Sequence, residues 1–84
     1  MNIHKFRRLN EMQQLSLTEQ KGVAIAERKT AYCSVHLFQL HSFYVELYEH
    51  SHFNVVTRIY AFTDTTLLEP YLESISIDDL FATQ

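Results

Sequence analysis

The stretch Phe43-Tyr44-Val45-Glu46-Leu47-Tyr48-Glu49-His50 decides the fold, together with Phe53-Asn54-Val55-Val56-Thr57-Arg58-Ile59-Tyr60-Ala61-Phe62, which follows it after Ser51-His52. Both runs are rich in β-branched and aromatic residues, and their side chains sort by alternate position, the period of a strand. A break this short joins antiparallel neighbours only, because a parallel return needs a crossover of about a dozen residues or more. Placing Glu46 opposite Arg58 puts Tyr44, Glu46, Tyr48 and His50 on one face with Val56, Arg58, Tyr60 and Phe62. The other face then holds Phe43, Val45 and Leu47 with Val55, Thr57, Ile59 and Ala61, apolar enough to serve as the core.

The same chemistry extends toward the N-terminus. Four strands are predicted, over residues 23–29, 31–40, 42–50 and 53–62, forming an antiparallel meander. None of the three connections contains Asn-Gly or Asp-Gly, so turn chemistry does not set the registers. Ile3, Phe6, Leu9 and Met12 recur every third residue among charged neighbours, which predicts an amphipathic helix over residues 3–14. Ser16-Leu17-Thr18-Glu19 has the form of a capping box, and predicts a short second helix running to Lys21. Gly22, the only glycine, is expected to end it with a positive φ. After the sheet, Asp64, Thr65 and Thr66 are good cap residues, and Pro70 is tolerated in the first turn of a short helix. Ser76-Ile77-Asp78-Asp79 is expected to cap a further turn. The expectation is one α+β domain over residues 1–84: helical over 1–21, an antiparallel sheet over 23–62, and a short helical segment over 64–81.

Composition narrows the function. The chain has 84 residues, 46% hydrophobic and 20% charged, with one Gly and one Cys. A domain of this size buries only about 60 to 65% of its unfolded surface, so self-association would add useful burial. Cys33 has no disulfide partner, which points to a reducing compartment. The N-terminus lacks a signal-peptide core, and no apolar run could span a bilayer, so a cytoplasmic protein without membrane contact is expected. Residues 1–30 carry six Lys or Arg against three Glu, a net of +3, whereas residues 31–84 carry one Arg against seven acids, a net of −6. The two halves could lie side by side, within one chain or between two. An overall charge of −3 with a pI near 5.9 disfavours nucleic acid as a ligand.

Catalytic signatures are missing from the sequence. A single glycine excludes a glycine-rich phosphate cradle, no G-x-S-x-G elbow accompanies the serines, and no cofactor is expected. Cys33 reads as an inert strand thiol. Five histidines (His4, His36, His41, His50, His52) invite a metal reading, and Glu49-His50-Ser51-His52 offers ligands, yet neighbouring hairpin positions seldom hold the angles of a closed site. His41 and the His50/His52 pair are expected at opposite ends of the sheet. Exposed turn histidines, and no metal site, are therefore expected. Glu46 and Glu49 face opposite sides of a strand and make no acid and base pair. Phe43-Tyr44-Val45-Glu46 spells the name of the phosphoinositide-binding zinc finger, but that fold needs paired Cys-x-x-Cys motifs and the lone Cys33 excludes it. Bacterial ribonuclease toxins of similar size are strongly basic, and this sheet offers only Arg58 on strands two to four.

Over nearly its whole length the chain resembles a group of short, uncharacterised bacterial proteins. The residues that carry the likeness are the F-Y-V-E strand at Phe43–Glu46, the run Phe53–Ile59, and the L-x-P-Y-L segment Leu68-Glu69-Pro70-Tyr71-Leu72. The resemblance implies a compact single domain and brings no catalytic residue with it. Two functions stay open. The first is a non-enzymatic interaction domain, most simply a homodimer, associating through Tyr44, Tyr48, Tyr60 and Phe62 or through the apolar C-terminal segment. The second is a small-ligand or catalytic domain with a pocket lined by tyrosines and by His36, Glu46 or Arg58.

Overall fold

The structure is a computed structural model and describes residues 1–72. It is an α+β fold in three layers. Helices α1 (Ile3–Arg7) and α2 (Glu11–Lys21) precede strands β1 (Val23–Lys29), β2 (Cys33–Leu40), β3 (Phe43–His50) and β4 (Val56–Phe62), and a 3-10 helix, Thr65–Tyr71, ends the described chain. The sheet is an antiparallel meander in the order β1-β2-β3-β4. Both helices lie on one face, and the 3-10 helix crosses the other toward β1. Expectations for residues 73–81, including the Ser76–Asp79 cap, fall outside the described residues.

One helix over residues 3–14 proves to be two, because the capping box lies at Asn10 rather than Ser16. The Asn10 side chain accepts from the Gln13 backbone N–H at 2.8 Å, and the Gln13 side chain accepts in return from the Asn10 N–H at 3.1 Å. Reciprocal satisfaction of two end amides starts a new helix there. Ser16 and Glu19 then lie within α2 on its exposed side. The break lets Phe6 of α1 and Leu15 and Leu17 of α2 reach the same core, built on Leu40, Phe43, Val45, Leu47 and Ala61.

Gly22 ends α2, but with φ −75° and ψ 153°, an extended conformation open to any residue. Its requirement is close approach. A Cβ there would stand 2.5 Å from the Thr18 carbonyl oxygen and 3.3 Å from the Phe38 ring. The left-handed positions are His41 (φ 57°), in the tight β2–β3 turn, and Asn54 (φ 56°), in the β3–β4 hairpin; both residue types tolerate this region better than most.

The β3–β4 register is two residues away from the expected one: Glu46 faces Tyr60, and Tyr48 faces Arg58. A slip of two preserves the face of every side chain, so Phe43, Val45, Leu47, Ile59 and Ala61 do pack under the helices. The start of β4 is the exception: Val55, expected in the core, precedes the strand and is 53% exposed, Thr57 is exposed as well, and Val56 changes sides. Thr57 is a bulge residue between Arg58 and Val56, so Val56 pairs with Glu49 and lies on the helix side beside Leu15 and Leu47. A second bulge, at Ile25, interrupts the β1–β2 pairing. The 3-10 helix begins at Thr65, capped by Asp64, whose carboxylate accepts from Thr66 N and Oγ1 at 2.9 and 2.8 Å. Pro70 therefore sits near its end rather than in its first turn; a 3-10 stretch only seven residues long tolerates one missing N–H there.

Gly22→Ala is expected to lower unfolding stability by about 1–3 kcal/mol through this backbone clash. Chemical denaturation checks the loss, and continued α2 helicity by circular dichroism identifies the clash as its origin.

Candidate functional site

Charged and aromatic groups converge on the sheet face away from the helices. Glu46, in the middle of β3, is 5% exposed although it is an acid. A carboxylate withdrawn from water costs several kcal/mol unless donors replace the water. Tyr71, carried there by the 3-10 helix, donates its hydroxyl to Glu46 Oε2 at 2.5 Å. Tyr48 donates to Oε1 at 3.4 Å, and Arg28 Nη2 reaches Oε2 at 3.4 Å and the Tyr48 hydroxyl at 3.1 Å.

Arg28, not Arg58, is thus the ion-pair partner of Glu46. Arg58 stands opposite Tyr48 and lays its guanidinium 5.3 Å from the Tyr48 ring centre and 5.1 Å from that of Tyr60. Arg28 lies 5.7 Å from the Tyr48 centre and 5.6 Å from that of Tyr71. Tyr48 is thereby approached by two cations, both at favourable cation–π distance. Arg28 Nε is buried with no hydrogen-bond partner among the described residues, while the guanidinium also hydrogen-bonds the Tyr71 side chain.

Protonation follows from these contacts. Burial pushes the Tyr71 hydroxyl far above the ordinary tyrosine range, and its hydrogen bond to the Glu46 carboxylate adds to the shift. Burial, and then the Glu46 charge, raise Tyr48 in the same direction. For Arg28 burial opposes the charge, but Tyr71, Tyr48 and Glu46 outweigh it and the net shift is upward. The chemistry of the cluster is that of a latch: the carboxylate is an acceptor already supplied with donors, and the hydroxyls keep their protons.

Of the four aromatic residues expected at an interaction face, Phe62 is covered. It is 2% exposed and packs with Leu37 and Tyr71, with Leu68 of the 3-10 helix alongside. Tyr44 and Tyr60 stack on it at 5.5 and 5.7 Å. Beyond the helix, Tyr48 and Tyr60 remain half-buried and Arg58 exposed. The face continues through His50 to Phe53, 4.9 Å away from the His50 ring and 68% exposed. His36 lies on the opposite, helix side, 3.4 Å from Glu49 and 4.0 Å from Glu27. His36, Glu46 and Arg58 therefore do not line one pocket. His41 and the His50/His52 pair occupy opposite ends of the sheet, and among the described residues no group of three or more His, Cys, Asp or Glu is placed to hold a metal. Cys33 is a half-buried free thiol.

Sequence reasoning missed both Arg28 and Tyr71. Arg28 pairs with Val35, which in turn pairs with Tyr48, so it shares the Glu46 face, but it reaches the carboxylate from two strands away and no local pattern signals that contact.

Two consequences are measurable. Tyr71→Phe leaves one carboxylate oxygen short of a donor and is expected to cost about 1.5–3 kcal/mol in urea unfolding. Tyrosines held neutral in the fold ionise near pH 10 when unfolded. The contribution of Tyr71 and Tyr48 is thus complete below about pH 10 and declines as pH rises past it. Tyrosinate absorbance of the native protein should show a late-ionising fraction that shrinks in Tyr71→Phe.

Among the described residues no helix is long and apolar enough to cross a membrane. No known family model, curated protein or solved structure matches the chain, so any functional reading rests on its own geometry.

Proposed function

We propose that the chain is a non-enzymatic protein-interaction domain that self-associates as a twofold dimer through the part of the aromatic sheet face left open by the 3-10 helix. Tyr48, Arg58 and Tyr60 form its centre and Phe53 its edge, while Tyr44 and Phe62 support it from below. The observation that carries this reading is an exposed guanidinium lying on two half-buried tyrosine rings, with Phe53, 68% exposed, against the His50 ring at the end of the same strand as Tyr48. Aromatic bodies and arginine are the groups enriched at the centres of protein interfaces, and aliphatic or aromatic surface left in water favours burial. A twofold pairing brings the same patch to both sides, with each Arg58 placed to rest against the partner's tyrosine edges. The latch on Glu46 gives the patch a rigid base, which lowers the ordering cost of association.

Sedimentation velocity over the micromolar range is expected to show a concentration-dependent dimer. Phe53→Ser with Arg58→Glu, both at exposed positions, should shift it to monomer while the chain keeps a native circular dichroism spectrum and cooperative unfolding. A wild-type chain that stays monomeric throughout that range would refute the reading.

A further inference from the structure

The helix-covered face of the sheet changes character along its strands. Near the β2–β3 turn it is apolar and closed, with Phe6 of α1 packed among Leu40, Phe43, Val45 and Ala61. Toward the opposite end, the cross-strand row of Glu27, His36 and Leu47, and beyond it the row of Ser34, Glu49 and Val56, bring polar groups onto the same face. A cleft of about 320 Å³ lies there between α2 and the sheet. Phe38, Leu47 and Val56, from three different strands, form its floor, and Leu15 of α2 its apolar wall. Val56 belongs to that floor because the Thr57 bulge turns it to the helix side. Three ionisable groups complete the lining: Glu19 from α2, and His36 and Glu49 from the sheet.

We propose that this cleft binds a small organic ammonium, a protonated amine on a compact apolar body, with the body on the floor and the charged head toward Glu19 and Glu49. Size sets the body. The space is roughly ten times the 30 Å³ or so that a water molecule occupies in the liquid, and it lies within the range of small-molecule sites. The lining sets the sign of the charge. Two carboxylates stand against one imidazole, so the cleft is negative whether or not His36 is protonated, and Glu27 adds a third acid on the far side of that ring, at 4.0 Å. Lys29 shares the face but stands on the edge strand, two strands away from Glu49, and does not line the cleft. A cleft of one sign with apolar walls concentrates ligands of the opposite sign. Acceptors are also free. Glu49 meets His36 Nε2 through one oxygen, at 3.4 Å, and the Glu19 carboxylate has no hydrogen-bond or ion-pair partner among the described residues. An ammonium carries three N–H donors and no acceptor, which matches carboxylates on both walls. The apolar floor selects an organic cation over a metal ion, whose hydration shell such side chains do not replace. The cleft shares no residue with the aromatic face on the other side of the sheet, so it stands or falls separately from the dimer.

Three probes of similar shape and different charge test the site: phenethylamine, phenethyl alcohol and hydrocinnamate, titrated into the isotope-labelled native protein and followed by amide chemical shifts. The amine should saturate, with shifts centred on Leu15, His36, Leu47, Glu49 and Val56, and should bind about tenfold more tightly than the alcohol, while the carboxylate does not bind. Glu19→Gln and Glu49→Gln, both near-isosteric and outside the core, should each weaken the amine by about three- to tenfold, in line with the loss of one partly exposed charge contact. Neither should change the affinity for the alcohol, which separates lost charge from lost fold. Phe53→Ser, on the opposite side of the sheet, should leave the amine's affinity as it is. An amine that binds no better than the alcohol, that keeps its affinity in both glutamine variants, or whose shifts fall outside the cleft or never saturate overturns the proposal.

Discussion

A carboxylate buried in the middle of a strand constrains everything else on its face of the sheet. Glu46 is 5% exposed, and its neighbours are arranged so that donors arrive from three separate parts of the chain: Arg28 from β1, Tyr48 from β3 itself and Tyr71 from the 3-10 helix. Removing any one leaves charge in a poorly solvated place, so the three are interdependent in a way that apolar contacts are not. The strand order, the crossing direction of the 3-10 helix and the burial of Phe62 beneath it all serve this arrangement. An isosteric apolar residue at position 46 would relieve the constraint, and with it the specificity of where Tyr71 docks.

The two faces of the sheet use different physics. Under the helices the core is aliphatic and aromatic, closed by the Phe6–Phe43 contact at 5.4 Å and by the close approach of Gly22 to Phe38. Such packing is tolerant of which helix supplies a given side chain, and the chain uses two short helices where one long one would have matched the same periodicity. The other face is polar at its centre and aromatic around it. Its order comes from directed contacts, and the same tyrosines that satisfy Glu46 present their rings to the arginines.

The sheet and its facing were legible in the sequence because alternation survives a slip of two residues. Phe43, Val45 and Leu47 could be assigned to the core without knowing whether Glu46 meets Arg58 or Tyr60. The partner of Glu46 was not legible, because an ion pair between adjacent strands is the simplest choice and Arg28 lies two strands away. The helix break was equally hidden: Asn10–Gln13 and Ser16–Glu19 both have capping-box form, and only packing of Phe6 and Leu17 into one core decides between them. Tyr71 sits in an apolar segment with no sequence sign of a polar role, whereas its hydroxyl bonds the buried carboxylate. The open remainder of the aromatic face, with Tyr48, Arg58 and Tyr60, was visible from strand parity alone.

The two bulges have a consequence for growth of the sheet itself. Ile25 lies in β1 and Thr57 in β4, and these are the edge strands. Each edge is thereby kinked and locally overtwisted, and β1 carries Glu27, Arg28 and Lys29 along it as well, all of which oppose strand-by-strand addition of further copies. A small sheet rich in Val, Ile and aromatic residues is otherwise a template for fibrils. By spoiling its edges, the chain opposes growth strand by strand and leaves its faces, rather than its backbone, as the surfaces it offers to other molecules.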